Sequence, residues 1–191
     1  MTEKNSKNMV HDAGDTSPEM TLRPVGVIRN RTKEPFLIAG HDGIAMQGDL
    51  DDAMRRVHKA DREVSEIVVN EDLVEILEGI DEYSHLTILY WAHQVPETSR
   101  ALTRVHPMGR EDMPLTGIFG TCSPARPNPV LMTVVRLCGR DGNVLSVTDL
   151  DAIDGSPVID IKPYVRDFFP QEDVQIPGWM QQIQHECMRQ E

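Results

Sequence analysis

A proline-rich loop is the part of this chain whose residue types are best suited to holding a ligand. Residues 117–129 read GIFGTCSPARPNP, with three prolines in the last six positions. Each proline fixes its own φ and biases the residue before it toward extended geometry. We therefore expect a stiff, non-helical loop that holds Arg126 and Asn128 in place, as rigid loops at binding sites do. A structural turn that leads into a strand explains the same pattern equally well.

A second proline-bearing segment, DGSPVIDIKPY, occupies residues 154–164. Asp160 and Lys162 alternate with two isoleucines, so on a strand both charged side chains point to one face. They are suited either to a structural salt bridge or to a pair of charges at a site, and the pattern allows both. Tyr164 ends the segment, where it is suited equally to stacking on a base, closing a pocket or packing in the core.

Together the two segments resemble the signature of the TsaA-like family, which contains the TrmO-type methyltransferases of tRNA threonylcarbamoyladenosine. The residues that match the first part of that signature are Phe119, Thr121, Ser123, Pro124, Arg126, Pro127, Asn128 and Pro129. Those that match the second part are Asp154, Gly155, Pro157, Asp160, Ile161, Lys162, Pro163 and Tyr164. The match extends back through residues 81–86 and, more weakly, 24–28, so it covers roughly Thr21 to Tyr164.

The resemblance implies a methyltransferase that uses S-adenosyl-L-methionine, has a small β-barrel fold and forms a homodimer. The cofactor contacts expected on this basis are Phe119, Thr121, Ser123, Arg126, Asn128 and Asp154. Arg126 is the natural partner of the methionine carboxylate, because a guanidinium presents a planar fork of donors. The expected catalytic residues are Asp160 as a base or orienting group for the acceptor, Lys162 as its charge partner, and Tyr164.

The methyl acceptor implied by the family is the exocyclic nitrogen of threonylcarbamoyladenosine next to the tRNA anticodon. Its lone pair is delocalised into a urea, so removal of a proton would help the reaction. Two alternatives stay open. The same fold and cofactor can serve a small-molecule acceptor, or the protein can bind S-adenosylmethionine without catalysis.

The chain departs from the family pattern at two places. Cys122 stands where an arginine is common, and Val130-Leu131-Met132 replaces isoleucine-glycine-leucine. Both changes favour a subfamily whose acceptor differs from that of the founding enzyme. No histidine is paired with Cys122 by its spacing, so we expect a small buried or half-buried residue there rather than a nucleophile.

Composition predicts one compact domain with two tails. The chain has 191 residues and 39% hydrophobic content, enough for an ordinary core. We expect a flexible N-terminal arm over residues 1–20, the barrel domain over 21–168 and a partly helical tail over 169–191. The three cysteines have no metal-like spacing, which is typical of the reducing cytoplasm and indicates neither a metal site nor disulfides. No apolar run is long enough for a membrane span, so no membrane partner is expected.

The net charge of −12 disfavours a tRNA partner, because neutralisation of phosphates supplies most non-specific affinity for nucleic acids. Local charge can differ from this sum. Basic residues cluster at Arg23, Arg29, Arg31 and Lys33, and again at Arg100, Arg104 and Arg110. A basic mouth on an acidic body and a mixed, solvated surface are both compatible with this distribution.

Periodicity predicts a mainly β, antiparallel, barrel-like domain with a few short helices and a C-terminal helical tail. The predicted strands are residues 23–28, 64–69, 85–93, 116–121, 130–138, 144–147 and 158–161, with a shorter one near 44–46. A helix that follows Asn70 is expected to bury Leu73, Ile76, Leu77 and Ile80, and others are expected at 51–57 and 178–188. A glycine-rich strand-to-helix loop of the Rossmann type is missing, so any S-adenosylmethionine must lie on the sheet and its loops.

Overall fold

The computed structural model describes residues 20–35, 37–40, 43–46 and 63–188. Almost all of the expected N-terminal arm, and the helical piece predicted over 51–57, lie outside the described residues. The strands, in chain order, are β1 Gly26–Arg29, β2 Leu37–Gly40, β3 Gly43–Met46, β4 Ser65–Val69, β5 His85–Trp91, β6 Arg104–Val105, β7 Thr116–Gly117, β8 Val130–Asp141, β9 Val144–Thr148 and β10 Pro157–Pro163.

Six of these strands close into an antiparallel barrel in the order β1-β10-β5-β8-β9-β4, with β1 pairing both β10 and β4. Two short antiparallel pairs, β2 with β3 and β6 with β7, lie outside the barrel. The prediction of a mainly β, antiparallel barrel is therefore confirmed. A bulge interrupts β10 between Val158 and Asp160, where the strand passes Tyr90 and Leu89 of β5. Such bulges re-aim side chains and are common beside functional sites.

Alternating apolar residues on the strands fill the barrel interior. The fully buried side chains include Ile28, Ile67, Leu86, Ile88, Val135, Leu145, Val147 and Val158. In β4 and β9 every second residue is buried, because successive side chains of a strand point to opposite faces. β-branched and aliphatic residues therefore supply one core inside the closed sheet.

An Asp-Gly pair between two alternating runs predicts a hairpin, and β8 and β9 form one, with Gly142 and Asn143 as the turn between Asp141 and Val144. Gly142 has φ 58°, the left-handed conformation that this kind of tight turn requires. Asn143 then donates a side-chain hydrogen bond to the carbonyl of Val69 at 2.6 Å, which ties the turn to the end of β4.

The predicted helix after Asn70 forms, but as a 3-10 helix over Glu71–Leu77. Leu77 is buried, whereas the side chain of Ile76 is 67% exposed, so the prediction that Ile76 is buried is wrong. A 3-10 helix has three residues per turn instead of 3.6, which changes the residues that face the core. The Asn70 side chain does not cap the helix and donates instead to the carbonyl of Pro24 at 3.0 Å.

The strand predicted over residues 116–121 is also too long. It covers only Thr116–Gly117, after which Ile118–Gly120 forms a 3-10 turn that leads into the proline-rich loop. The predicted C-terminal helix is present at Gly178–Met188, with Trp179 and Ile183 half-buried. Arg110 anchors it through an ion pair with Glu186. No helix in the described part of the chain is both long and apolar enough to cross a membrane.

Candidate functional site

A cavity of about 500 Å³ opens beside the end of β5 and the proline-rich loop. Its volume lies in the range of pockets that enclose a small ligand. Four parts of the chain that are distant in sequence contribute its walls. The lining residues are Glu34, Pro35, Ile38, Tyr90, Ala92, Gln94, Val95, Pro96, Cys122, Pro124, Leu131, Asp151, Ala152, Ile153 and Ser156.

The charged side chains that the structure describes around this cavity are negative. Glu34 and Asp151 contribute carboxylates, and no lysine, arginine or histidine is present among the described residues that line it. Most of the other lining side chains are apolar. Two carboxylates with no cation among the described lining residues favour a cationic ligand.

Asp151 is held in place by two hydroxyl groups. Tyr90 donates to Asp151 Oδ1 at 2.7 Å, and the Thr133 hydroxyl donates to the same oxygen. Tyr90 is 3% exposed, and burial together with the charge of Asp151 raises the pKa of its hydroxyl. The phenol therefore stays protonated and remains a donor, which fixes the carboxylate at the cavity wall.

The proline-rich loop is folded by hydrogen bonds within itself. Thr121 Oγ1 donates to the Ile118 carbonyl at 2.9 Å and accepts from the Ser123 amide at 3.2 Å. The buried Ser123 hydroxyl in turn accepts from the amide of Ala125. This arrangement places Cys122 and Pro124 against the cavity. Because the Cys122 side chain is exposed there, the expectation of a buried or half-buried residue is wrong.

Arg126 braces the same loop. Its Nε donates to the Ser123 carbonyl at 2.8 Å, and its Nη2 donates to the Thr121 carbonyl at 2.6 Å. Phe119 is 80% exposed, and Asn128 is also exposed. Among the described residues of this loop, only Cys122 and Pro124 line the cavity, and neither is a predicted cofactor contact. The cofactor contacts predicted for the loop therefore stay predictions.

Asp154 begins the Asp154-Gly155 turn that precedes β10, and its side chain connects this turn to the segment after β1. Its Oδ1 accepts from the Asn30 amide at 2.9 Å, and its Oδ2 pairs with Lys33 Nζ at 2.5 Å. The hydrogen bond from Lys33, followed by the one from Asn30, lowers the pKa of this carboxyl. Gly155 adopts φ 78°, which explains the glycine of the motif. Both carboxylate oxygens of Asp154 already have protein partners, and its role in cofactor binding stays a prediction.

We expect the Asp154→Asn variant to unfold more easily than wild type at pH 7, because a neutral amide cannot form the ion pair with Lys33. The folded-state pKa lies below 3.8, so this stabilisation is present above pH 3.8 and is lost as the pH falls through the folded value. Urea unfolding at a series of pH values should show the two proteins converging in acid. Lys33→Met should reproduce the pattern, and a difference that stays constant into acid would contradict it.

The three predicted catalytic residues lie together on β10 and just after it. Lys162 Nζ and Asp160 Oδ2 form an ion pair at 2.6 Å on the exposed face, as their alternation indicates. Tyr164 stacks on Phe169 with ring centroids 5.2 Å apart. Its amide donates to His85 at the start of β5, whereas the cavity lies at the other end of that strand. Within the described chain, none of these three residues lines the cavity.

Sequence reasoning missed Tyr90 and Asp151, the polar centre of the cavity. Asp151 lies three positions before the motif aspartate, and Tyr90 lies within an alternating strand, where the pattern predicts only core packing. Their pairing joins residues that are 61 positions apart. The spacing of residues within one segment of the sequence cannot predict a contact over that separation.

Comparison with known proteins assigns the family. The tRNA-methyltransferase O N-terminal domain matches residues 50–168, more than half of the chain. The chain belongs to the tRNA-methyltransferase O (TrmO) family. The resemblance seen in the two proline-bearing motifs is thereby confirmed.

Relatives of this TrmO-family chain carry two kinds of name. A probable S-adenosyl-L-methionine-binding protein of Methanothermobacter thermautotrophicus is 38% identical over 149 residues, which cover 78% of this chain and 93% of the relative. The tRNA (adenine(37)-N6)-methyltransferase of Escherichia coli is 33% identical over 145 residues, which cover 74% of this chain and 56% of the enzyme.

Solved structures agree with the family assignment. The crystal structure of TrmO from Pseudomonas aeruginosa has a TM-score of 0.58 and 29% identity, and the match covers 83% of this chain and 61% of that one. This TrmO-family chain therefore spans little more than half the length of the Escherichia coli enzyme and of the Pseudomonas aeruginosa protein.

Proposed function

We propose that this chain is an S-adenosylmethionine-dependent methyltransferase and that its cofactor occupies the cavity beside Asp151. Membership of the TrmO family and the S-adenosylmethionine-binding relatives support the activity. The cavity suits the group chemically, since Ile153 and Leu131 offer apolar surface for an adenine ring. Asp151 and Glu34 offer negative charge for the cationic end. The observation that carries the proposal is this combination of family and acidic, ligand-sized cavity.

Bound S-adenosylmethionine supplies a methyl group on a positively charged sulfur, so the donor needs no further activation. The chain's own contribution is then to position the ligand and to exclude water. The braced proline-rich loop and the fixed Asp151 carboxylate are suited to that task. Asp160 and Lys162 remain the proposed acceptor-side pair, and the homodimer also remains part of the proposal.

The acceptor that we propose first is the exocyclic nitrogen of threonylcarbamoyladenosine beside the tRNA anticodon. The name of the Escherichia coli relative, a tRNA (adenine(37)-N6)-methyltransferase, supports it. That nitrogen must lose its proton as the methyl group arrives, which is a role for a base. Asp160 does not line the cavity of its own chain, so this proposal gives it that role from the second copy of the homodimer. The exposed position of the Asp160–Lys162 pair suits a large acceptor.

A small-molecule acceptor is the second candidate, and the charge of the chain favours it. The net charge is −12, and two of the cations in the basic clusters are engaged by carboxylates, Lys33 by Asp154 and Arg110 by Asp112 and Glu186. Mass spectrometry of tRNA nucleosides from a deletion strain, with and without complementation, separates the two candidates. Loss and return of a methylated threonylcarbamoyladenosine would support tRNA, and an unchanged nucleoside profile would exclude it.

Protection of Cys122 from alkylation tests whether the cofactor occupies this cavity. Cys122 is an exposed thiol on the cavity wall, whereas Cys138 is an exposed thiol on β8 that does not line the cavity. Saturating S-adenosylmethionine should therefore slow N-ethylmaleimide labelling of Cys122 at least severalfold and leave the labelling of Cys138 unchanged. Peptide mass spectrometry measures both rates in one sample. Equal rates with and without the ligand would rule out this location.

A further inference from the structure

We propose that Asp151 distinguishes the methylated cofactor from its demethylated product by facing the positive sulfur. The inference rests on the proposed function, since it concerns the ligand of the same cavity. S-adenosylmethionine carries a sulfonium, and S-adenosylhomocysteine carries a neutral thioether at the same position. A fixed negative charge beside that sulfur strengthens binding of S-adenosylmethionine and does not strengthen binding of S-adenosylhomocysteine.

The contacts of Asp151 suit a cation that donates no hydrogen bonds. Both protein hydroxyls, from Tyr90 and Thr133, bond the same carboxylate oxygen, Oδ1. They hold the carboxylate in one orientation without help from the ligand, and among the described residues no hydrogen bond to Oδ2 is found. A sulfonium has no proton to offer, so it needs a carboxylate that the protein itself orients. An ammonium group, by contrast, can orient a free carboxylate with its own hydrogen bonds.

The surroundings of Asp151 strengthen the discrimination. Ala152, Ile153 and Leu131 line the same cavity as Asp151 and offer apolar surface beside the carboxylate. Among the described residues of the cavity wall there is no cation that would neutralise Asp151. The other charged side chain that lines the cavity is Glu34, which is exposed, as is Asp151, but only Asp151 is oriented by two protein hydroxyls. Loss of the methyl group therefore removes one attractive interaction and favours release of the product.

Calorimetric titration of S-adenosylmethionine and S-adenosylhomocysteine into three proteins tests the proposal. Wild type should bind S-adenosylmethionine more tightly than S-adenosylhomocysteine. Asp151→Asn keeps the shape and an acceptor oxygen but removes the charge, and we expect it to reduce that preference by about tenfold. Asp149→Asn is the matched control, because this exposed aspartate does not line the cavity and asparagine tolerates its φ of 66°. It should keep the preference of wild type.

The outcomes separate this inference from the proposed function. If wild type binds neither ligand, the proposed function is wrong, and the inference is overturned with it. If wild type binds both and Asp151→Asn weakens them equally or changes neither, Asp151 does not face the sulfur, and only the inference is overturned. If Asp151→Asn does not fold, wild type is titrated with sinefungin, which carries an amine in place of the sulfonium. Binding tighter than that of S-adenosylhomocysteine then supports the proposal, and equal or weaker binding overturns it.

Discussion

Replacement of Ile67 by alanine is expected to lower the free energy of unfolding by about 2–5 kcal/mol, the usual cost of removing a large aliphatic side chain from a core. Ile67 is fully buried in β4, which pairs with β1 on one side and β9 on the other. Its removal leaves a cavity inside a closed sheet, whose hydrogen-bonded strands cannot move together to fill the space. Equilibrium unfolding in urea, followed by circular dichroism, measures the loss.

Ile76→Ala is the matched control for this experiment. The same side chain is removed, but Ile76 is 67% exposed on its 3-10 helix, so the expected change is within about 0.5 kcal/mol. The comparison also tests the corrected structure of this segment, because an α-helix with the predicted buried face would make Ile76 a core residue. Equal losses in the two variants would contradict the burial seen here.

The strands were predictable because their signal is local. In β4 and β9 the burial of a side chain follows from its position in an alternating run, and a β-barrel needs little more than several such runs joined by turns. The helix after Asn70 shows where this reasoning stops. Its apolar spacing fits a period of 3.6, but the chain forms a 3-10 helix. The side-chain amide of Asn70 donates to the carbonyl of Pro24 instead of capping that helix. That contact joins residues 46 positions apart and cannot be read from the segment itself.

The candidate site was predictable in part for the same reason. The prolines identify a rigid loop, and the loop does form one wall of the cavity. Sequence shows which polar side chains the loop carries, but not whether their donors and acceptors are used within the loop. Thr121 and Ser123 bind neighbouring backbone groups, as short hydroxyl side chains often do. The polar centre at Asp151 depends on a strand 61 positions away, so only the fold reveals it.

Arg126→Ala is expected to weaken binding of S-adenosylmethionine at least tenfold while leaving the barrel folded. The variant loses two hydrogen bonds from a charged donor to the carbonyls of Ser123 and Thr121, each of a kind worth about 1.5–3 kcal/mol. Both carbonyls belong to the turn that presents Cys122 and Pro124 to the cavity. Without the guanidinium the loop should sample other conformations, and the ligand would have to order it on binding. Calorimetry measures the affinity, and hydrogen exchange of residues 121–129 measures the loop.

Arg126→Lys decides between the two roles that remain for this residue. Lysine keeps the positive charge, but its single ammonium group cannot reproduce the planar fork that reaches both carbonyls. If Arg126 braces the loop, the lysine variant should resemble Arg126→Ala in both affinity and hydrogen exchange. If Arg126 instead binds the methionine carboxylate through its charge, lysine should restore much of the affinity while the loop still exchanges faster than in wild type. Because the two carbonyl contacts already use Nε and Nη2, we expect the first result.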